Sequence, residues 1–214
     1  MEILEKLFGS RERVKLMRLF LFNPDTIFSF SEVSARSATF LGRARKELAI
    51  FLKVGLVKRR HLRGEGNKKG NKSGFILDQN FSYLKPVRNL LIQQILVSDA
   101  EIIRRMAKSM NKIKLIIEAG VFIQDLDSRV DFLVVGDGIK HNAVDRAIRN
   151  LESEIGKEIV YAVFETADFK YRLGMYDKLI RDILVFPHRK VLDMLETPEK
   201  TREPRDATVV HKVI

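Results

Sequence analysis

The chain has 214 residues, of which 45% are hydrophobic and 31% charged, so it can bury one large core or two small ones. It contains no cysteine, which excludes disulfides, thiolate zinc sites and a cysteine nucleophile. No stretch approaches the roughly 18 consecutive apolar residues of a membrane span, and the N-terminus lacks the basic start and apolar core of a signal peptide. We therefore expect a cytoplasmic protein with no membrane partner.

Positive charge is concentrated in the first third of the chain. The formal net charge is +11; residues 1–78 hold 17 Lys or Arg against 8 Asp or Glu, a balance of +9, and residues 79–214 add only +2. A basic segment joined to a near-neutral one is expected when one part of a protein binds a polyanion. A basic solvated surface without a partner has the same composition, so charge alone leaves both interpretations open.

The first elements are predicted to be helices. Residues 2–21 carry apolar side chains at helical spacing, and Asn23–Asp25 ends that pattern. Phe28 and Phe30 alternate with polar neighbours, as in a short strand, and Ser31–Glu32 begins a further helix.

A longer helix is predicted after a turn at Ser37 and Ala38. It begins at Thr39, a residue type typical of helix N-caps, and runs to Val54, where Gly55 ends it. Its apolar residues form one stripe and its basic residues lie toward the other face. The stripe contains Ala44, Leu48 and Phe51, and the basic residues are Arg43, Lys46 and Lys53.

A β-hairpin with a long basic tip is predicted next. Residues 56–60 and 75–77 are the two strand-like runs, and the segment between them is rich in glycine and lysine. Because these glycines join strands and do not open a helix, we do not interpret the segment as a phosphate-binding loop.

The order of a short helix, a turn, a second helix ending in Gly-Leu-Val and a basic hairpin resembles the winged helix-turn-helix family. The resemblance covers residues 29–58, SFSEVSARSATFLGRARKELAIFLKVGLVK. In that family the second helix enters the major groove of duplex DNA, which is about 12 Å wide, and the wing contacts the backbone or minor groove. The resemblance implies a set of DNA-contacting residues. They are Thr39, Arg43, Arg45 and Lys46 on the helix, and Arg63, Lys68, Lys69 and Lys72 on the wing.

The start of the second helix departs from the family pattern. Phe40, Leu41 and Gly42 stand where polar residues that read bases are usual. Some winged helices bind proteins instead of DNA, and that interpretation stays open as an alternative.

Residues 81–97 predict a strongly apolar helix that a small first domain would cover poorly. We expect this helix to pack either on the second domain or on a twin subunit. We favour the second arrangement, in which the protein is a homodimer. Residues 98–101 have a capping-box pattern that opens another helix, to about Asn111. The predicted organisation is a DNA-binding domain at 1–80, a helical connector at 81–110, a second domain at 111–196 and an extended tail at 197–214.

Strands alternate with helices in the second domain, which predicts an α/β domain with a small mixed sheet and an α+β class for the chain. The predicted strands are residues 113–122, 130–135 and 158–164, and the predicted helices are residues 142–155 and 167–184.

Residues 114–137, KLIIEAGVFIQDLDSRVDFLVVGD, resemble the core of the minimal nucleotidyltransferase fold. In that family a Gly-Ser pair ends the first strand, and two aspartates one residue apart hold Mg²⁺ during phosphoryl transfer. Here Ala119 and Gly120 stand in place of Gly-Ser, Arg129 replaces the first aspartate, and Asp131 remains. An arginine there removes a ligand and repels a divalent ion by roughly 8 kcal/mol at about 4 Å and an effective dielectric near 20. The resemblance therefore implies a fold that has lost its transferase activity, with no catalytic residue, metal or cofactor.

Two further observations concern metal binding. Asp125 and Asp127 are alternative carboxylates near the degenerate motif, although acidic residues in a turn are usually just solvated. The four histidines are scattered without ligand spacing. The apolar end of the tail, residues 209–214, is a candidate for adding onto another surface.

The sequence predicts a DNA-binding transcriptional regulator whose second domain mediates dimerisation or binds a small-molecule or protein effector. One alternative is an active nucleotidyltransferase, acting as an antitoxin that modifies a protein partner. Another is that the basic domain binds structured RNA.

Overall fold

The computed structural model describes residues 3–62, 72–92, 99–125 and 128–197. The described residues form two compact units, each built from two separate stretches of the chain. The first unit contains residues up to 92 together with 140–159, and the second contains 99–139 together with 160–197. The chain therefore does not divide along the predicted boundaries, because the helix predicted at 142–155 for the second domain belongs to the first unit.

The helices in chain order are α1 (Ile3–Phe8), α2 (Arg11–Phe22), α3 (Phe30–Arg36), α4 (Leu41–Val54), α5 (Leu84–Ile92), α6 (Asp99–Met106), α7 (His141–Ile155), α8 (Thr166–Gly174) and α9 (Lys178–Val185). The strands are β1 (Val57–Leu62), β2 (Lys72–Leu77), β3 (Lys112–Glu118), β4 (Phe132–Asp137), β5 (Tyr161–Glu165) and β6 (Arg189–Asp193). The described part of the chain is thus mixed α+β, as predicted. Among these residues, no helix combines the length and the apolar character that crossing a bilayer requires.

Local caps set the ends of α3 and α4. Ser29 and Glu32 form a reciprocal capping box, so α3 begins at Phe30, slightly earlier than predicted. Gly55, with φ +79°, ends α4 as predicted. The predicted N-cap at Thr39 is wrong, because the capping residue is Phe40 and it has no side-chain cap. Thr39 is buried, and its hydroxyl donates a hydrogen bond to the carbonyl of Ser37 instead.

The predicted hairpin is present as the antiparallel pair β1 and β2, in which Val57 lies opposite Leu77. Phe28 lies alongside β2 and exchanges two backbone hydrogen bonds with Phe75, which makes an isolated one-residue β-bridge next to the hairpin. Gly74 permits this approach, since a Cβ there would lie 2.4 Å from the Ile27 side chain. Phe28 is therefore extended as predicted, whereas Phe30 is helical.

The described residues up to 92 share a hydrophobic core, to which α2 contributes most. Its largest fully buried side chains are Leu16, Leu19, Phe20, Leu21, Leu48, Leu77 and Leu91. Leu91 comes from α5, so the described part of the predicted connector packs into this core. This part of a helix that was expected to be hard to cover therefore buries Leu91 in the first unit, whereas Leu90 stays 40% exposed. Ile95 and Leu96 of the predicted helix lie outside the described residues.

Helix α7 packs against α2 through polar groups and one glycine. The Lys15 ammonium lies 3.1 Å from a Glu154 carboxylate oxygen and 3.2 Å from the Ser153 hydroxyl. Gly156 ends α7 with φ +85°, and a Cβ there would lie 2.5 Å from the backbone of Arg18. The close approach of these two segments therefore depends on a glycine.

The second unit is built on a four-stranded sheet in the order β5-β4-β3-β6. Strand β3 is antiparallel to β4 and β6, and β4 is parallel to β5, so the sheet is mixed as predicted. Strand β6 was not predicted. The helix predicted at 167–184 is two helices, because Tyr176 adopts φ +54° and Asp177 caps α9.

Candidate nucleic-acid interface

Helix α4 is fixed to the first unit by its buried stripe and by one acidic residue. Ala44, Leu48 and Phe51 are buried as predicted. Glu47, the sole acidic residue of α4, is also buried, and its carboxylate accepts a hydrogen bond from Arg13 Nε at 2.7 Å. The opposite face of α4 is therefore held outward in a defined orientation.

That outward face carries basic charge without an exposed acid from the same helix. Arg43, Arg45, Lys46 and Lys53 are all exposed. Because Glu47 faces inward, nothing on α4 itself offsets these four charges at the surface. A cationic helix face of this kind attracts a polyanion such as a nucleic-acid backbone.

The basic candidates on α4 differ in their surroundings. Arg43 pairs with Glu12 and keeps 67% of its side chain exposed. The pKa of Glu12 is lowered by its own backbone amide and further by Arg43. The Arg45 guanidinium carbon lies 5.2 Å from the centre of the Phe30 ring. Lys46 makes no hydrogen bond or ion pair with another described residue, so its charge faces solvent.

The beginning of α4 is apolar and exposed. Phe40 is 85% exposed and Leu41 is 54% exposed. Thr39, which the sequence placed in the DNA-contacting set, is buried beneath them and does not face outward. These residues border a shallow groove between α3 and α4. Sequence reasoning singled out Phe40 and Leu41 as a departure from the family pattern and did not include them among the site residues.

The wing candidates lie mostly beyond the described part of the chain. Arg63, Lys68 and Lys69 are outside the described residues. Lys72 is the first residue of β2, where its backbone pairs with Leu62, and its side chain is outside the described part. The first strand of the hairpin adds three exposed residues that the sequence analysis did not select: Arg59, Arg60 and His61.

The degenerate nucleotidyltransferase motif forms a closed turn in the second unit. Asp131 is buried, and its two carboxylate oxygens accept hydrogen bonds from the amides of Val121, at 2.8 Å, and Val160, at 2.9 Å. Gly120 lies against the same carboxylate, since a Cβ there would be 2.0 Å from Asp131 Oδ1. Ala119 is buried, and its amide donates to the Asp131 carbonyl. The structure therefore brings three of the four motif residues together and uses the aspartate to hold the turn.

Arg129, the fourth motif residue, is separate from that turn. Its side chain is 64% exposed and its guanidinium lies 3.5 Å from the carboxylate of Asp182 on α9. Asp125 lies in the turn after Gly120, and Asp127 is outside the described residues. Within the described ranges, no group of three or more His, Cys, Asp or Glu side chains could hold a metal ion.

A second buried carboxylate was missed by the sequence analysis. Glu118 ends β3, is 2% exposed, and accepts a hydrogen bond from Arg189 Nε at 3.0 Å. Burial raises the pKa of Glu118, although Arg189 stabilises its charged form. Its partner is 71 residues away in the chain, so no local signal points to the pair.

The sequence matches no protein-family model, and no curated protein or solved structure is significantly similar to it.

Proposed function

We propose that the chain is a DNA-binding transcriptional regulator whose first unit is a winged helix-turn-helix. In this assignment α3 and α4 are the two helices of the motif, and the β1–β2 hairpin is the wing. The observation that carries the proposal is the outward face of α4, where four basic residues are exposed and the helix's one acid is buried.

The test is binding of the full chain to duplex DNA as a function of salt concentration. The informative variant replaces Arg43, Arg45 and Lys46 by Ala. A matched control replaces Lys108, Lys170 and Lys178, three exposed lysines of the second unit, so that total charge falls equally. The logarithm of the binding constant should fall steeply with the logarithm of salt concentration. In the α4 variant this slope should become shallower by about 0.9 for each phosphate contact removed, and the control should resemble wild type.

Three outcomes would contradict DNA binding by α4. Absence of duplex binding even at low salt would favour a protein-binding module. Equal losses in both triple variants would show that net charge, not the α4 face, drives association. Preferential displacement of the bound duplex by structured RNA at the same salt concentration would redirect the proposal to RNA.

We further propose that the second unit is a nucleotidyltransferase-like fold that does not transfer nucleotides. The support is the use of Asp131: both carboxylate oxygens are occupied by backbone amides, and Gly120 lies directly against them. A buried carboxylate that already holds two backbone amides is poorly placed to bind a metal ion as well. Incubation with Mg²⁺ and labelled nucleoside triphosphates should give no incorporation. Metal-dependent labelling of the chain or of a protein partner would instead favour an active, antitoxin-like nucleotidyltransferase.

Dimerisation or effector binding is the role that we propose for the second unit. A cavity of about 250 Å³ between α8 and α9 is lined by Leu173, Ile180 and Leu184, among others, and could receive an apolar group of an effector. Sedimentation velocity of the full chain over a hundredfold range of concentration tests the dimer. A monomer throughout that range would remove dimerisation from the proposal and leave effector binding.

A further inference from the structure

Two large apolar side chains stand exposed at the beginning of α4, beside its basic face. Phe40 is 85% exposed and Leu41 is 54% exposed, although the first unit has a well-formed core in which other phenylalanines are buried. An aromatic ring that stays in water does not gain the free energy that its burial would supply. A ring placed so prominently is therefore a candidate for contact with a partner.

The backbone around Phe40 is held firmly. The Ser34 hydroxyl donates a hydrogen bond of 2.6 Å to the Thr39 carbonyl, and the Thr39 amide donates to the Ser34 carbonyl at 3.0 Å. The Phe40 carbonyl accepts hydrogen bonds from Arg43 and Ala44, which starts α4. Because this backbone is already ordered, presenting the ring to a partner costs little additional conformational entropy.

Charge identifies the class of partner. Arg43, Arg45 and Lys46 follow Phe40 within two helical turns, and the acid of α4 is buried. An apolar tip beside a dense cationic face fits a partner that is polyanionic but offers small apolar groups. Duplex DNA has this combination, since the thymine 5-methyl group projects into the major groove between the phosphate backbones.

We infer that Phe40, with Leu41 beside it, contacts thymine 5-methyl groups in the major groove and so sets a preference for A·T pairs there. The inference rests on the proposed DNA-binding function, because it places the first turn of α4 against base edges. Neither side chain can hydrogen-bond to a base, so methyl contact is the discrimination that this turn can supply. A Cβ at Gly42 would meet nothing within 4 Å, so the glycine leaves open space on the helix surface next to these two side chains.

The experiment begins with sites selected by the full chain from a random duplex library. Each thymine of a selected duplex is then replaced by deoxyuridine, which removes only the methyl group. Binding is measured for wild type and Phe40→Ala. Val54→Ala is the matched control, since Val54 is an exposed apolar residue at the other end of the same helix.

Wild type should lose about fourfold in affinity for each contacted methyl that is removed. Phe40→Ala should lose the discrimination at the thymines that Phe40 contacts, keep at most the smaller part that Leu41 supplies, and keep the salt slope of wild type. Val54→Ala should discriminate as wild type does. Equal binding of both duplexes by wild type, or full discrimination by Phe40→Ala, would overturn the inference while leaving the DNA-binding function intact. A duplex that is kinked on binding but shows no dependence on the methyl groups would also overturn the inference. In that case Phe40 would act as a wedge inserted between base pairs. Failure to select or bind any duplex would overturn the proposed function itself.

Discussion

The carboxylate of Asp131 accepts a hydrogen bond of 2.9 Å from the backbone amide of Val160. The other oxygen accepts one of 2.8 Å from Val121, and the Asp131 amide donates to the Val160 carbonyl at 2.7 Å. One side chain thus ties the turn after β3 to the segment that leads into β5. The aspartate that resembles a metal ligand in the sequence has a structural use in this fold.

Asp131→Ala should therefore lower the free energy of unfolding by about 2–3 kcal/mol, because two backbone amides lose a charged acceptor. The matched control is Asp168→Ala, which removes an exposed i,i+4 pair with Arg172 and should cost no more than about 0.5 kcal/mol. Urea denaturation followed by circular dichroism measures both changes. If Asp131→Ala proved as stable as the control, the side chain would not be holding the turn.

A second prediction concerns the contact between α7 and α2. Gly156 and Gly55 both end a helix in the left-handed region, with φ +85° and +79°. A Cβ at Gly55 would meet nothing within 4 Å, whereas one at Gly156 would lie 2.5 Å from the backbone of both Arg18 and Leu19. Gly55→Ala should therefore cost about 1 kcal/mol from backbone strain alone, and Gly156→Ala appreciably more.

The comparison isolates the close approach, because the two glycines share a backbone conformation. Thermal or urea unfolding of the two variants gives the difference in stability. Equal destabilisation would mean that α7 does not press against α2 in solution. A larger loss in Gly156→Ala would tie residues 140–159 to the stability of the first unit.

Local signals explain which elements were predictable from the sequence. The capping box of Ser29 and Glu32 and the left-handed Gly55 act within a few residues, so the ends of α3 and α4 were found almost correctly. Apolar spacing placed the buried stripe of α4 for the same reason. The alternation of strands and helices likewise indicated a mixed sheet in the second unit.

Long-range pairing explains what the sequence did not reveal. Strand β6 exists through its pairing with β3, and the salt bridge of Glu118 joins side chains 71 residues apart. The amphipathic pattern of α7 predicts a helix but does not identify its packing partner. The contacts of Lys15 and Gly156 show that this partner is α2. The break between α8 and α9 is different, because it has local signals that the prediction of one helix did not use: Gly174 ends α8 and Asp177 caps α9.

The candidate site shows the same division. The basic residues of α4 could be selected from spacing, because a helical face follows from periodicity. Thr39 has the composition of an N-cap, but its hydroxyl is directed to Ser37 by the turn. The exposure of Phe40 depends on how α3 packs beside α4, and no pattern in the sequence reports that.

The last prediction concerns pH and the buried carboxylate of Glu118. Burial raises its pKa above the ordinary value of a glutamate, about 4.3, despite the hydrogen bonds from Arg189. At a pH between the ordinary pKa and the raised pKa, Glu118 is protonated in the folded chain and ionised in the unfolded chain. The contribution of Glu118 to stability is therefore fully present below the ordinary pKa and is lost as pH rises through the raised one.

Glu118→Gln removes this titration and keeps a neutral hydrogen-bonding group beside Arg189. The difference in unfolding free energy, wild type minus Glu118→Gln, should decrease as pH is raised from 4 toward neutrality. Glu101→Gln supplies a control of opposite sign, because Arg105 and Arg104 lower the pKa of Glu101, so wild type should lose stability relative to that variant as pH falls. Urea denaturation at several pH values measures both differences. A wild-type chain that gained stability over Glu118→Gln with rising pH would mean that the ion pair with Arg189 outweighs the cost of burial.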